Sequence, residues 1–158
     1  MTIAECLKVS EVFKGFNDES IDKIAEDCEI VEFGKDQYIF VEGTTDDCSL
    51  FIVMEGEILI STEIVEKDGT MKQDAFILAL MEPGDTFGEM SLVDGSPRSA
   101  TARANRETRL VRMPEETFDQ LTSERSDIGM TIFRNIARLL CRRLREMDFA
   151  VKHQAFMG

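Results

Sequence analysis

Apolar positions follow a helical period at the two ends of this chain and a strand-like period between them. Ile21, Ile24, Ala25 and Cys28 fall at i, i+3, i+4 and i+7, with Asn17 or Asp18 as a cap, so a short amphipathic helix is predicted over 17–28. Ahead of it, Val9, Val12, Phe13 and Phe16 form an apolar cluster expected to pack on the elements C-terminal to it. From about 29 to 113, short β-rich runs alternate with turn signals. Ile30–Phe33 stops at Gly34-Lys35-Asp36, Tyr38–Val41 at Glu42-Gly43, and Leu50–Met54 at Glu55-Gly56. Ile58–Val65 runs into Lys67-Asp68-Gly69, where Asp-Gly suits the positive φ of a hairpin turn. Ala75–Leu80 stops at Pro83-Gly84-Asp85, and Arg98–Ala104 and Thr108–Met113 complete the series.

Around eight such strands predict an antiparallel barrel or jelly roll, a size that can enclose one small ligand. Helical spacing then returns. Glu115–Leu121 is a short segment, and Ser126 or Asp127 can cap a long helix reaching Met147 or beyond. Ile128, Ile132, Phe133, Ile136, Leu140, Leu144 and Met147 supply its apolar face. The fold class expected is mainly β with flanking helices: an eight-stranded antiparallel jelly-roll barrel, N-terminal helices and a long C-terminal helix. The expected boundaries are 1–28 for the N-terminal helical segment, 29–114 for the barrel, 115–151 for the C-terminal helices and 152–158 for a frayed tail. All belong to one domain. Phe133, Ile136, Leu140, Leu144, Met147 and Val151 recur near the period of a coiled seam, so a homodimer through the C-terminal helix is expected.

Composition narrows the choice of function. Net charge is −13 over 158 residues. Residues 1–97 carry −17 and residues 98–158 carry +4, with every arginine at or beyond Arg98. An acidic surface repels nucleic acid, so no nucleic-acid partner is expected. No apolar run is long enough to span a membrane, and the N-terminus lacks the features of a secretory signal. Cys6, Cys28, Cys48 and Cys141 form no Cys-x-x-Cys pair, which fits a reducing cytoplasm better than a disulfide framework or zinc ribbon. A metal-dependent enzyme on a similar barrel needs histidines on its strands. The single histidine, His153, lies outside them, so neither a metal nor a catalytic cofactor is expected. Phe40, Phe51, Phe76 and Phe87 read as core, and Asp46-Asp47 as a solvated loop.

The chemistry concentrates in residues 87–101, Phe-Gly-Glu-Met-Ser-Leu-Val-Asp-Gly-Ser-Pro-Arg-Ser-Ala-Thr. Gly88 has no side chain to block a ligand. Glu89–Val93 suits one helical turn, whose free N–H groups favour an anion. Arg98 offers a bidentate fork for phosphate oxygens, and Ser99 and Ala100 leave room beside it. A carboxylate next to a phosphate site makes sense if a sugar hydroxyl donates to Glu89. Without ligand, Arg98 is expected to pair with Glu89, since a buried charge needs a partner.

At Phe87, Gly88, Glu89, Leu92, Gly95, Pro97, Arg98, Ala100 and Thr101 the segment resembles the phosphate-binding cassette of the cyclic nucleotide-binding domain family, whose members include sensory domains of catabolite activator protein, protein kinases and channels. The resemblance extends over roughly residues 10–147. It implies a ligand-binding set of Phe87, Gly88, Glu89, Met90, Ser91, Pro97, Arg98, Ser99 and Ala100. Glu89 would accept from the ribose 2′-OH, Arg98 would pair with the cyclic phosphate, and backbone N–H groups near Gly88, Ser91 and Ser99 would complete the shell. Arg142, Arg143 and Phe149 are the candidates for covering the base. Serine at 99, where guanine-recognising members carry threonine, favours cyclic AMP over cyclic GMP as the ligand. The function implied is a stand-alone sensor that changes conformation on binding. The chain stops soon after its long helix, so no attached DNA-binding or catalytic domain is expected and the effector would be a separate protein. The alternative is an interaction adaptor that keeps the fold without responding to nucleotide.

Overall fold

The computed structural model describes residues 1–62, 68, 70 and 76–157. The hairpin expected at Lys67-Asp68-Gly69 lies outside the described residues except for Asp68, as do the end of the Ile58–Val65 run and Ala75.

The chain opens with α1 (Ile3–Val9), inside the N-terminal helical segment expected over 1–28, with Ile3, Cys6 and Leu7 at i, i+3 and i+4. Thr2 and Glu5 form a capping box in which each side chain accepts from the other's backbone N–H. A short 3-10 turn (Glu11–Phe13) comes next, then α2 (Asp18–Glu26), capped by Asn17. The strands are β1 (Glu29–Phe33), β2 (Tyr38–Phe40), β3 (Leu50–Glu55), β4 (Ile58–Thr62), β5 (Phe76–Met81), β6 (Thr86–Phe87), β7 (Thr101–Ala104) and β8 (Thr108–Met113). Between β6 and β7 lies α3 (Glu89–Asp94), and α4 (Glu115–Glu124) and α5 (Ser126–Met157) close the fold. Good helix formers continue past Val151 without glycine or proline, and α5 runs on through the stretch expected to fray.

Two antiparallel four-stranded sheets, ordered β1-β8-β3-β6 and β2-β7-β4-β5, form the jelly roll. The first sheet is covered on both faces. Leu50, Ile52 and Met54 of β3 join Val111 and Met113 beneath the helices, in a core with Leu7, Phe13, Ile21, Ile132 and Ile136. Phe51 and Val53 point the other way and pack with Phe87, Ala102, Ala104 and Leu110 between the sheets. Burial on both faces is why β3 reads as an unbroken apolar run rather than an alternating one. Gly56 turns β3 into β4 at φ 94°, where a Cβ would sit 2.5 Å from the Glu107 carbonyl, so only glycine fits.

The second sheet is less covered. β5 is an edge strand, and Phe76 is 72% exposed, against the expectation that it packs in the core. Its apolar character signals a strand, but no described element lies over it.

Helix α5 is fixed to the body by Asn135, which donates to the Val12 and Lys14 carbonyls at 2.9 Å each. Gly129 lets it approach α4, since a Cβ there would lie 3.0 Å from the Thr122 backbone. Ile136, expected in an exposed seam, is buried against the body. The exposed stripe instead reads Met130, Phe133, Ala137, Leu144, Met147 and Val151, with Leu140 half-buried.

Candidate functional site

The segment 87–101 folds as β6, α3, a loop and the start of β7. Gly88 and Gly95 bound α3 in left-handed conformation, at φ 82° and 68°. At Gly88 the glycine is required twice over. The positive φ disfavours a side chain, and a Cβ would meet Arg98 Nη1 at 2.8 Å and the Ser49 carbonyl at 2.9 Å.

Arg98 is 3% exposed. Its guanidinium does not pair with Glu89, contrary to expectation. Nη1 donates to the Gly88 carbonyl at 3.0 Å, and Nη2 donates to the Ser49 carbonyl at 2.9 Å and to the Asp47 carbonyl. The group lies over the Phe40 ring, 4.0 Å from its centroid, a favourable cation–π placement. Three carbonyl dipoles and a ring face thus satisfy the charge in place of a carboxylate. Nε remains buried without a hydrogen-bond partner. Burial holds the Arg98 pKa below the ordinary arginine value, opposed by the charges of Asp47, Cys48, Glu89 and Glu115.

Asp47 is not the solvated loop residue expected. Its carbonyl accepts from Arg98, and its carboxylate accepts from Ser49 and from Arg112 Nε at 3.1 Å. Burial raises its pKa, but bonds from Ser49 and Arg112 outweigh this and hold the carboxyl below the usual carboxylate range.

Glu89, also 3% exposed, pairs with Arg143 of α5. Arg143 Nη1 donates to Glu89 Oε1, and Nη2 donates to the Thr86 carbonyl. One side chain therefore joins the long helix to both β6 and the first residue of α3. Of the three candidates for covering a base, Arg143 reaches the site. Arg142 pairs instead with Glu11 at 2.7 Å, and Phe149 is exposed beside His153. The sequence signal for Arg143 is a cationic side chain on a helix expected to approach the barrel. Its partner is not readable from the sequence.

The remaining residues of the segment form a graded wall. Phe87 is buried and stacks on Phe51 with centroids 5.4 Å apart. Ser91 and Ala100 are buried. Met90, Pro97 and Ser99 are the outer part of the segment, and the Ser99 hydroxyl lies 3.7 Å from Met90 Sδ. Chemically, the cluster juxtaposes a buried cation with an unsatisfied N–H, a buried carboxylate directly after a glycine, and the open N–H groups of a helical first turn. That combination suits a ligand carrying an anionic group and hydroxyls side by side.

Comparison with known proteins agrees. Residues 30–125 match the family model described as "Cyclic nucleotide-binding domain". A "CRP-like cAMP-activated global transcriptional regulator" of Mycobacterium tuberculosis is 29% identical over 138 residues, which are 87% of this chain and 58% of the relative. The "Cyclic AMP receptor protein" of Thermus thermophilus is 31% identical over 151 residues, 95% of this chain and 64% of the relative. This chain thus spans about three-fifths of the length of those relatives. A crystal structure of the Thermus thermophilus catabolite activator protein superposes with a TM-score of 0.74 at 30% identity, covering 93% of this chain and 64% of that one. A cyclic nucleotide-binding domain from Methylobacillus flagellatus gives 0.79 at 24% identity, covering 96% and 82%, a likeness that speaks to the fold. With the family model matched across the jelly roll and the cassette in place, this chain belongs to the cyclic nucleotide-binding domain family.

Proposed function

We propose that this chain is a cyclic nucleotide sensor, binding cyclic AMP in preference to cyclic GMP, with no catalytic activity of its own. The observation that carries the reading is the pair of buried, opposite charges at the two ends of the cassette: Glu89 beside Gly88, and Arg98 with a partnerless Nε. In this reading the cyclic phosphate takes Arg98 from the carbonyls it now engages, and the ribose 2′-OH donates to Glu89. Phe87, Gly88, Met90, Ser91, Pro97, Ser99 and Ala100 frame the site. Ligand and Arg143 would then share Glu89, so binding changes the contact that ties α5 to the barrel. Differential contact of this kind is what a ligand needs to shift a conformational equilibrium.

The same reading makes α5 the output element. Met130, Phe133, Ala137, Leu140, Leu144, Met147 and Val151 recur at alternating steps of three and four residues along it, the spacing of a coiled seam. A second copy of α5 is the proposed cover, giving a homodimer. Calorimetric titration with both nucleotides tests the sensor reading. Saturable binding of cyclic AMP, tighter than cyclic GMP and lost in Arg98→Gln, is the expected outcome. No heat with either nucleotide at millimolar concentration would overturn it. It would favour the ligand-independent adaptor, a reading to which the existing Arg143–Glu89 pair lends support.

A further inference from the structure

Arginine pairing across the molecule is uneven in a way that marks a surface. Seven of the eleven arginines form ion pairs with carboxylates, and Arg98 is held by carbonyls. The remaining three, Arg134, Arg138 and Arg145, form no hydrogen bond or ion pair among the described residues. In a chain with 31 acidic residues and a net charge of −13, partners for exposed guanidinium groups are plentiful. The three without partners all lie on one helix.

They also lie on one face of it. Positions 134, 138, 145 and 149 are separated by four, seven and four residues, so they follow one stripe along α5. All four side chains are exposed. With Ala137, Cys141, Arg142 and Glu146 they line an open groove of about 770 Å³ along α5 itself. Arg142 is already neutralised by Glu11. Glu146 is the groove's one carboxylate among the described residues, and it makes no ion pair with the three arginines. The stripe adjoins the apolar seam at Met130, Ala137, Leu144 and Val151, with Ala137 on their shared edge. It lies to one flank of that seam, away from Ile132 and Leu139, which face the body.

We infer that this face of α5 is a docking surface for an acidic segment of a partner protein. Three carboxylates spread over a span of about 16 Å, eleven residues of helix at 1.5 Å each, would meet Arg134, Arg138 and Arg145, with an apolar side chain against Phe149. Charge complementarity selects the partner. Arginine beside an exposed aromatic is the composition that dominates interface energetics, and arginine forks recognise carboxylates bidentately. The stripe is a local run of positive charge on a molecule of net charge −13, and complementary potentials of this kind steer encounter and fix register. The inference does not depend on nucleotide binding.

The test uses the full chain and a fluorescein-labelled 18-residue peptide with glutamates at positions 2, 6 and 13 and leucine at 17. A peptide with glutamine at those three positions is the control. Fluorescence anisotropy at low salt is expected to give saturable binding of the glutamate peptide at least tenfold tighter than the control. The triple variant Arg134→Gln, Arg138→Gln, Arg145→Gln should lose that binding at least tenfold. Glutamine matches arginine in helix propensity, so circular dichroism and melting should be unchanged. Arg106→Gln plus Arg125→Gln, outside the stripe, should bind like the parent. Equal affinity of parent and triple variant overturns the inference, as does equal affinity for both peptides. So does binding to vesicles containing phosphatidylserine without binding to the peptide, which assigns the stripe to a membrane surface. A change of oligomeric state in the triple variant assigns it to self-association and also overturns the inference. Loss of cyclic AMP binding in Arg98→Gln with peptide binding intact would separate this surface from the ligand site.

Discussion

Replacing Gly88 by alanine tests the geometry of the cassette, because Gly95 at the other end of α3 supplies an internal control. Both glycines are left-handed, so alanine at either position incurs a backbone cost of about 1–2 kcal/mol. Around Gly95 an added Cβ meets nothing within 4 Å, and the backbone cost is the whole effect. At Gly88 the Cβ meets Arg98 Nη1 at 2.8 Å and the Ser49 carbonyl at 2.9 Å. The arginine could swing aside, but the Ser49 carbonyl is held next to the central strand β3 and cannot. Forcing a methyl into such a site costs about 1–3 kcal/mol more. Gly88→Ala is therefore expected to lose about 2–5 kcal/mol, a large share of a typical domain's total stability of about 5–15 kcal/mol. Gly95→Ala should lose about 1–2 kcal/mol. Urea denaturation followed by circular dichroism measures both. Displacing Arg98 should also weaken cyclic AMP binding at least tenfold in Gly88→Ala and much less in Gly95→Ala. The reasoning fails if the two variants are equally stable within about 0.5 kcal/mol, the usual spread of substitutions that touch nothing special.

Other expectations address the thiols, the helix and the latch. Cys141 is exposed while Cys6, Cys28 and Cys48 are buried, so a thiol reagent at pH 8 should modify one cysteine quickly and four after unfolding; two or more fast thiols would contradict the packing. Burial raises the Cys6 thiol from 9.0 to about 11, and burial together with Asp27 and Glu29 raises Cys28 to about 12. The unfolded chain loses these protons first, so their contribution to stability is intact below pH 9 and declines as pH rises from about 9 to about 12. The slope of stability against pH in that window should flatten in Cys6→Ala plus Cys28→Ala, and an unchanged slope would refute the assignment. Leu144→Glu places a charge in the exposed seam, and light scattering should report monomer where the parent is a dimer; an unaltered mass, or a monomeric parent, rejects the seam. Arg143→Ala removes the link between α5 and Glu89, and hydrogen exchange in the last turns of α5 should then cease to respond to cyclic AMP; a preserved response would show that coupling runs elsewhere.

Legibility in the sequence tracks the range of the interaction involved. The strands of the jelly roll announce themselves through short apolar runs and turn residues, and the Thr108–Met113 run coincides with β8 to the residue. β6, two residues long, is too short to show a period. α1 is short, and its bounds rest on the capping box of Thr2 and Glu5 and on Ile3, Cys6 and Leu7 at i, i+3 and i+4. Phe76 reads as core in the sequence and is exposed in the fold, because an apolar strand looks the same whether or not something covers it. In the cassette, Glu89 and Arg98 are identifiable because the chemistry of one short segment requires them together. Their actual partners are not.

The sequence by itself determined most of the elements, the jelly-roll class and the two charges at the ends of the cassette, since these rest on local propensity, turn chemistry and the spacing of a single segment. The tertiary structure decided who holds those charges. Arg98 is held by the Gly88 carbonyl ten residues earlier, by the Asp47 and Ser49 carbonyls about fifty residues earlier and by the Phe40 face, and Glu89 by an arginine 54 residues later on α5. A buried ion takes whichever groups the packed elements bring within hydrogen-bond reach, so its partner is a property of the assembled fold and not of its neighbours in the chain.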